Sequence, residues 1–391
     1  MNQTLPPSNF LKSFLNNIIF YSIMQLQTYK YRIYPTSKQK NRLFNTFNIC
    51  KNTYNDLLNK QKQVYGECKQ SLSKFDMNQL INKNSGVHSQ VLQNISDRLN
   101  KAFENFFLRC KDSSVKKKGF PRYKSSIKSI TYPQTGYKFL NERRLKVSKI
   151  GSIPIVLHRV MRGKVKTLTI KKNKASQWFA CFSCEVDDFV VDKSLPVVGV
   201  DVGKQYFTVG SDGKYSEYPF FKEEQSRKLQ LLHRRVSRKK KGSKNRFKAI
   251  HKLNVAYNNI TNKREDWLHK LSYYFRTNYS YIIVEKLDIK NMIVNGFKVS
   301  NRKTLDVAWN SFFQKLSYKA VISEVKSEYS SQECSNCGKR HKMPLSKRLF
   351  VCSNCGCHLN RDLNASFNIL SRAGLVRTYT PLDIEPLSFS T

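Results

Sequence analysis

Cys334-Ser-Asn-Cys337 and Cys352-Ser-Asn-Cys355 form two CxxC pairs with fourteen residues between them, and Gly338 and Gly356 follow the respective pairs. Two intervening residues let both thiolates of a pair point at one tetrahedral centre, and the glycine permits the positive φ that closes each knuckle. The pattern predicts a zinc ribbon: one structural Zn²⁺ held by Cys334, Cys337, Cys352 and Cys355. A redox pair and coincidence are the alternatives, and the doubling of the motif weighs against both. His341, Cys357 and His358 lie close by in sequence, but a four-thiolate site does not need them. Cys181 and Cys184 also read CxxC, yet they fall in an alternating β run where i and i+3 face opposite sides, so no metal is expected there.

A second set of residues is acidic. Val197–Val200 is an apolar run that ends in Asp201, Tyr281–Val284 is another that ends in Glu285, and Asp362 stands where the last helix should begin. A strand that stays hydrophobic until its final residue places that acid at a sheet edge, where ligand sites form. Each acid alone has an ordinary explanation, as a solvated strand end or as a partner for a helix dipole. Together they are expected to converge and hold one or two Mg²⁺ ions against a phosphate, activating a water and stabilising the leaving oxygen. Lys204, just after the first acid, is a candidate phosphate contact or simply a loop cation.

The third set is basic. Arg227–Lys248 carries eleven Lys/Arg among twenty-two residues and no acid. At this density an isolated helix repels itself unless phosphates run alongside. Arg234, Arg235, Arg238, Lys239, Lys240, Lys241 and Lys244 are therefore expected to touch nucleic acid. So are Lys116, Lys117, Lys118, Arg122, Tyr123 and Lys124, where cations interleave with Phe120, Tyr123, Tyr132 and Tyr137 in a mixture suited to phosphate pairing and base stacking. The competing reading makes those aromatics core residues.

The elements that must position these groups can be read from period and punctuation. Gln27–Tyr34 reads as a strand stopped by Pro35. Ser37–Gln63 and Val91–Cys110 carry apolar residues at helical spacing and should pack together. Ser113–Val191 reads as short strands of a barrel or sandwich. A boundary at Leu195–Pro196 leads to a three-stranded meander, a charged helix-compatible stretch Lys222–Asn278, the strand at Tyr281, an amphipathic helix Leu305–Ala320, and a strand Val321–Val325. The cysteine-rich segment 331–358 then precedes a helix from Arg361.

The whole chain has 391 residues, with 70 Lys/Arg against 27 Asp/Glu for a net charge of +43, and 40% hydrophobic content. That apolar share excludes a disordered polycation and implies folded domains neutralised by a polyphosphate. No uninterrupted run of 18 apolar residues suggests a membrane span. Residues 9–24 are interrupted by Asn16 and Asn17 and lack a small-residue cleavage site, so they do not read as a signal peptide, and Met24 is a plausible functional start. The ten cysteines then read as reduced thiols in a cytoplasmic, nucleoid-associated protein.

Several segments carry a resemblance in matching order: YKYRIYPTSKQ (29–39), LNKAFENFF (99–107), GFPRYKS (119–125), VGVDVG (198–203), WLHKLS (267–272), IIVEKLDIKNM (282–292), QECSNCG (332–338) and CSNCGCHLNRDLNASFNIL (352–370). In these the sequence resembles the TnpB family, OrfB-type proteins of insertion sequences that are ancestral to compact type V CRISPR effectors. The resemblance implies an α+β multi-domain build: an RNase H-like (RuvC) nuclease domain with an inserted zinc ribbon, plus an N-terminal wedge β-barrel with a helical recognition insertion. On this reading residues 1–24 are an N-terminal extension, 25–38 hold the first wedge strand, 39–112 the helical insertion and 113–194 the rest of the barrel. Residues 195–330 are the first part of the nuclease, 331–358 the ribbon, and 359–391 the last helix and tail.

The family's catalytic acids match Asp201, Glu285 and Asp362, implying a Mg²⁺-dependent endodeoxyribonuclease. Its partners would be a guide RNA from the transposon end and double-stranded target DNA cut beside a short adjacent motif, with no membrane and a monomer on its RNA. Two departures stand out: the extension before Met24, and Asn360 where the family usually has Asp. The alternative function is a non-cleaving nucleic-acid-binding repressor or accessory regulator of transposition, and a third reading is a strand-transferring transposase.

Overall fold

The computed structural model describes residues 25–81, 85–187, 191–287, 306–344, 347–375 and 384–387. The expected extension at 1–24 lies outside them. The chain divides into two compact units, one spanning Met24–Asp187 and the other comprising Asp188–Thr391 together with Met1–Ile23.

The Met24–Asp187 unit is built on one core. Strand β1 (Gln25–Ile33) runs antiparallel to β7 (Trp178–Val186) along its whole length and also pairs with β5 (Gly151–Val156). With β2 (Ser129–Tyr132), β3 (Tyr137–Asn141), β4 (Arg144–Val147) and β6 (Lys164–Lys172) they make a sheet in the order β2-β6-β7-β1-β5-β4-β3. Alternation puts Tyr29, Tyr31 and Ile33 into the core and leaves Lys30 and Arg32 on the other face.

Pro35 ends β1, and Thr36 starts helix α1 (Ser37–Cys68) with a capping box: the Gln39 amide donates to Thr36 Oγ1 at 3.3 Å and the Thr36 amide donates to Gln39 Oε1 at 3.0 Å. A short helix α2 (Lys74–Gln79) follows, then α3 (Ser89–Lys111). Leu43, Phe47, Leu57 and Leu58 of α1 pack with Leu92, Ile95, Leu99 and Phe103 of α3 in the same core as the sheet. Phe47 stacks on Trp178 at 5.7 Å. Each such side chain contributes roughly 1.5–3 kcal/mol by leaving water.

Residues 113–128 form no strand. Arg109 Nε donates to the Lys118 carbonyl at 2.6 Å, and Asn55 bonds the Lys124 backbone in both directions at 2.7 and 3.0 Å. This segment is thus pinned to α1 and α3. Tyr132 is fully buried and donates to the Ser148 carbonyl at 3.2 Å. It belongs to the core and has no free face for a base, which corrects the mixed aromatic-cation reading at that position; Phe120 and Tyr123 are about half exposed.

The second unit holds a mixed sheet. Strands β8 (Val197–Asp201), β9 (Thr208–Gly210) and β10 (Lys214–Ser216) form an antiparallel meander, and β11 (Tyr281–Glu285) and β12 (Val321–Val325) add in parallel, giving β12-β11-β8-β9-β10-β15 with β15 at Glu385–Pro386. Between β10 and β11 run α4 (Phe221–Glu224), α5 (Ser226–Ser237) and α6 (Lys244–Asn278). Helix α7 (Trp309–Ser317) precedes β12, and the hairpin β13 (Leu349–Val351) and β14 (His358–Asn360) leads into α8 (Arg361–Arg372).

Both sheet faces are covered. Val198, Val200, Ile282 and Val284 pack on Trp267, Leu271, Phe275 and Phe312 of α6 and α7, while Ile283 packs on Ile369 and Leu370 of α8. This explains why β8 and β11 are apolar throughout. Gly199 is where α8 crosses β8: a Cβ there would collide with the Ser366 carbonyl and the Leu370 amide.

The helix-compatible stretch is not continuous. It breaks at Arg238–Ser243, where Gly242 takes φ 81° and Ser243 Oγ caps α6 by accepting from the Arg246 amide at 3.1 Å. Helix α7 is also shorter than its periodicity suggests, because Ala308 is left-handed at φ 60°. No helix of the described residues is long and apolar enough to cross a membrane.

Candidate active site

Strand β8 delivers Asp201 and the parallel strand β11 delivers Glu285, both as terminal residues beyond apolar runs. Helix α8 delivers Asp362 from its first turn. Asn360 closes β14 and caps α8, its Oδ1 accepting from the Asp362 amide at 2.9 Å and the Leu363 amide at 3.4 Å. The departure from Asp at this position therefore keeps a strong N-cap residue, which orients the backbone of Asp362.

The three acids influence one another. Burial holds Asp201 well above the ordinary carboxylate range, and the charges of Glu285 and Asp362 push it further up, against the Val202 amide and Arg361, which lower it. Burial also raises Glu285 to about 7, opposed by a hydrogen bond that Ser330 Oγ donates to Glu285 Oε2 at 3.3 Å and by the Arg372 charge. Arg361 lies against Asp362 Oδ1 at 3.2 Å, and Arg348 lies 3.6 Å from Oδ2. The three side chains do not make a tight cluster: their oxygens are not all within 4.8 Å of one another. Three carboxylates, one of them raised by the charges of the other two, are a donor set suited to a hard divalent cation. Lys204 sits exposed in the loop after β8.

The cysteines behave differently. Cys334, Cys337, Cys352 and Cys355 have all four sulfurs within 4.8 Å of one another, and among the described residues they alone form such a group. Sγ–Sγ distances are 3.6 Å for Cys334–Cys355 and 3.5 Å for Cys337–Cys352, close to the ~3.8 Å edge of a tetrahedron with ~2.3 Å zinc–sulfur bonds. Gly338 and Gly356 take φ 75° and 69°, closing the knuckles as the spacing predicts. The backbone amide of Lys339 and the side-chain amide of Asn354 draw Cys337 down to about 6, while burial pushes Cys334 up to about 12. The residues present fit a structural zinc ion.

Three contacts around the sulfurs were not legible beforehand. Asn336 donates to Cys355 Sγ at 3.6 Å, Asn354 donates to Cys337 Sγ at 3.5 Å, and His341 Nε2 lies 3.2 Å from Cys352 Sγ. The repeated Asn inside each CSNC was the available signal. His358 turns its Nδ1 to the Gly356 carbonyl at 2.7 Å.

The basic candidates lie at the surface. Arg234, Arg235, Arg238, Lys239, Lys240, Lys241 and Lys244 are exposed on α5, the following turn and the start of α6, a hairpin held by Leu229, Leu253 and Ile260. Arg246 closes the turn through the Val236 and Lys239 carbonyls at 2.8 and 3.0 Å. Lys116, Lys117, Arg122, Tyr123 and Lys124 are exposed and Lys118 half-buried, its Nζ donating to the Asp112 carbonyl at 2.6 Å. Lys62 sits over the Tyr123 ring at 4.4 Å.

Residues 181–295 match the family described as "Probable transposase" (OrfB_IS605), residues 24–70 its "Helix-turn-helix domain", and residues 309–369 "Cas12f1-like, TNB domain". A Streptomyces pristinaespiralis protein named "Putative RNA-guided DNA endonuclease" is 30% identical over 92% of this chain and 92% of its own length. The chain belongs to the TnpB family.

Another relative, "Putative RNA-guided DNA endonuclease InsQ" of Escherichia coli K12, is 28% identical over 93% of this chain and 98% of its own. Among solved structures, the chain is similar in fold to the protein in a Cas12f1–sgRNA–target DNA complex, with TM-score 0.54, 15% identity, and coverage of 88% of this chain and 98% of that one. The mini-RNA-guided endonuclease CRISPR-Cas_phi3 gives TM-score 0.51 at 11% identity, covering 96% of each chain. Over the segment matched as helix-turn-helix, this TnpB chain instead forms β1 and the single long helix α1.

Proposed function

We propose that this TnpB protein is an RNA-guided DNA endonuclease of a transposable element. It would pair a guide RNA from the transposon end with target DNA and cut beside a short adjacent motif. The observation that carries the reading is the electrostatic coupling of Asp201, Glu285 and Asp362 from three separate elements in a chain of net charge +43. The meander-then-parallel strand order β10-β9-β8-β11-β12 supports an RNase H-like (RuvC) nuclease, and the insertion of the cysteine hairpin between β12 and α8 supports a zinc ribbon within it.

In this reading Asp201, Glu285 and Asp362 would hold divalent magnesium, which when bound would supply Lewis acidity and a more acidic water. Burial raises Glu285 to about 7, and as a ligand it would have to be ionised. Ser330 fixes the Glu285 carboxyl, and Asn360 and Arg361 fix the helix start that bears Asp362. The α5–α6 hairpin contributes phosphate contacts without base identity, leaving sequence to guide pairing.

The test is cleavage of a plasmid carrying the guide-matched target by the protein with its RNA and Mg²⁺, compared with Asp201→Ala. Cuts by wild type alone support the reading. Binding by both proteins with no cleavage by either would favour a non-cleaving regulator.

A further inference from the structure

Near Glu285 lies a cavity of about 590 Å³ to which the proposed reaction assigns no role. Tyr329 and Arg340 line it, together with Glu324, Val325, Lys326, Glu328, Glu333 and Arg372. The Arg340 guanidinium lies 3.6 Å above the Tyr329 ring. Glu333 holds that guanidinium at 3.1 Å and is itself held by Arg372 at 2.7 Å. Tyr329 adopts φ 61°, a backbone conformation that bulky side chains rarely take, and the residue remains 48% exposed. Its carbonyl accepts from the Gln332 and Glu333 amides at 2.9 and 3.1 Å, so the turn around this residue is fixed.

Two links place the stack at the rim of the carboxylate centre. The next residue, Ser330, donates to Glu285, and Glu324 lines both this cavity and the neighbouring one of about 380 Å³ that contains Glu285. A cavity of this size accommodates a nucleotide. The lining is balanced, with Glu324, Glu328 and Glu333 against Lys326, Arg340 and Arg372, and both arginines are engaged by Glu333, so it offers a phosphate no net attraction while a neutral flat base needs none. Arginine planes and aromatic rings are the surfaces on which unpaired bases stack.

We propose that Tyr329 and Arg340 form a stacking platform for an unpaired nucleobase of the DNA strand, next to the phosphate being cut. This rests on the endonuclease reading and adds a positioning pair to it. Stacking of this kind tolerates every base and favours purines for their larger face.

The experiment scans an abasic site through every position flanking the cut in single-stranded, guide-matched DNA. It uses RNA-loaded wild type, Tyr329→Ala, Tyr329→Trp and Arg340→Ala, with zinc content and melting temperature as folding controls. Wild type should slow by about tenfold at one position, the size of a lost base stack. Tyr329→Ala should cut intact DNA about tenfold less efficiently, through KM, and lose that position dependence; Tyr329→Trp should restore both. A flat scan in wild type, or an unchanged positional dip in Tyr329→Ala or Arg340→Ala, would overturn the platform. A second readout separates this from failure of the endonuclease reading: 2-aminopurine placed at the same positions, read by fluorescence without Mg²⁺. Quenching in wild type that Tyr329→Ala and Arg340→Ala abolish supports the platform even if no DNA is cut. Equal fluorescence in all three refutes it.

Discussion

The thiolate and carboxylate centres flank the same short stretch of chain before α8, and they are prepared for an ion in opposite ways. The four sulfurs already lie at tetrahedral spacing, with two asparagine amides and a histidine turned toward them. Of the carboxylates, Glu285 and Asp362 are buried and Asp201 is half-buried, and Asp362 is drawn to two arginines. A four-thiolate set at ion-binding spacing belongs to folding, since metal binding and ribbon formation are one event. A set of carboxylates suits an ion that would share its coordination with a substrate phosphate.

If that contrast is right, the largest effect comes from the thiolates. Cys352→Ser should lower zinc affinity by at least about three orders of magnitude, leave the purified protein with far less than one zinc per chain, and melt the ribbon. Elemental analysis and proteolysis of the 331–358 segment would read this out; full zinc retention breaks the contrast. Next in size is a stability change of opposite sign at the other centre. Glu285 carries a proton more tightly when folded, at about 7 against an ordinary 4.5. Stability is therefore lost as pH climbs between those values, and above 7 the buried charge imposes up to about 3 kcal/mol. Glu285→Gln removes this penalty, so the metal-free variant should melt several degrees higher than wild type at pH 8 and equally at pH 4. A lower melting temperature at pH 8 would mean that Glu285 is a stabilising ion-pair partner.

A smaller effect is expected from the asparagines facing the sulfurs. Asn354→Ala should weaken zinc about 10- to 100-fold in a chelator competition, as loss of a ligand's hydrogen bond does. The smallest belongs to Asn360. Replacing it with Ala should cost about 1 kcal/mol of stability, while Asp should be tolerated because it caps as well. Denaturant melts would distinguish the two substitutions.

Much of this was legible because it is local. VVGVD and YIIVE announce strands that end in acids, the doubled CxxC announces the knuckles, and Thr36 and Asn360 begin helices as capping residues should. What stayed hidden depends on contacts between distant segments. Nothing local in 113–128 says that Asn55 and Arg109 hold its backbone. Periodicity does not reveal that Ala308 turns left-handed or that the basic stretch folds back at Gly242. Tyr132 looked available because cations surround it in sequence, but strand alternation points it inward. At the carboxylate centre, Asp201 and Glu285 were visible as strand ends, whereas the hold of Arg348 on Asp362 required the β13–β14 hairpin to bring the arginine close.

The account turns on a divalent ion shared by Asp201, Glu285 and Asp362. Calorimetric titration of Mn²⁺ into the zinc-loaded protein at pH 6.5 and 8, for wild type and for Asp201→Asn, Glu285→Gln and Asp362→Asn, tests it most directly. Wild type should bind with proton release at pH 6.5 and more tightly at pH 8, and each substitution should weaken binding more than about tenfold, the cost of one lost charged ligand. Unchanged binding in any one of the three variants would contradict a shared site.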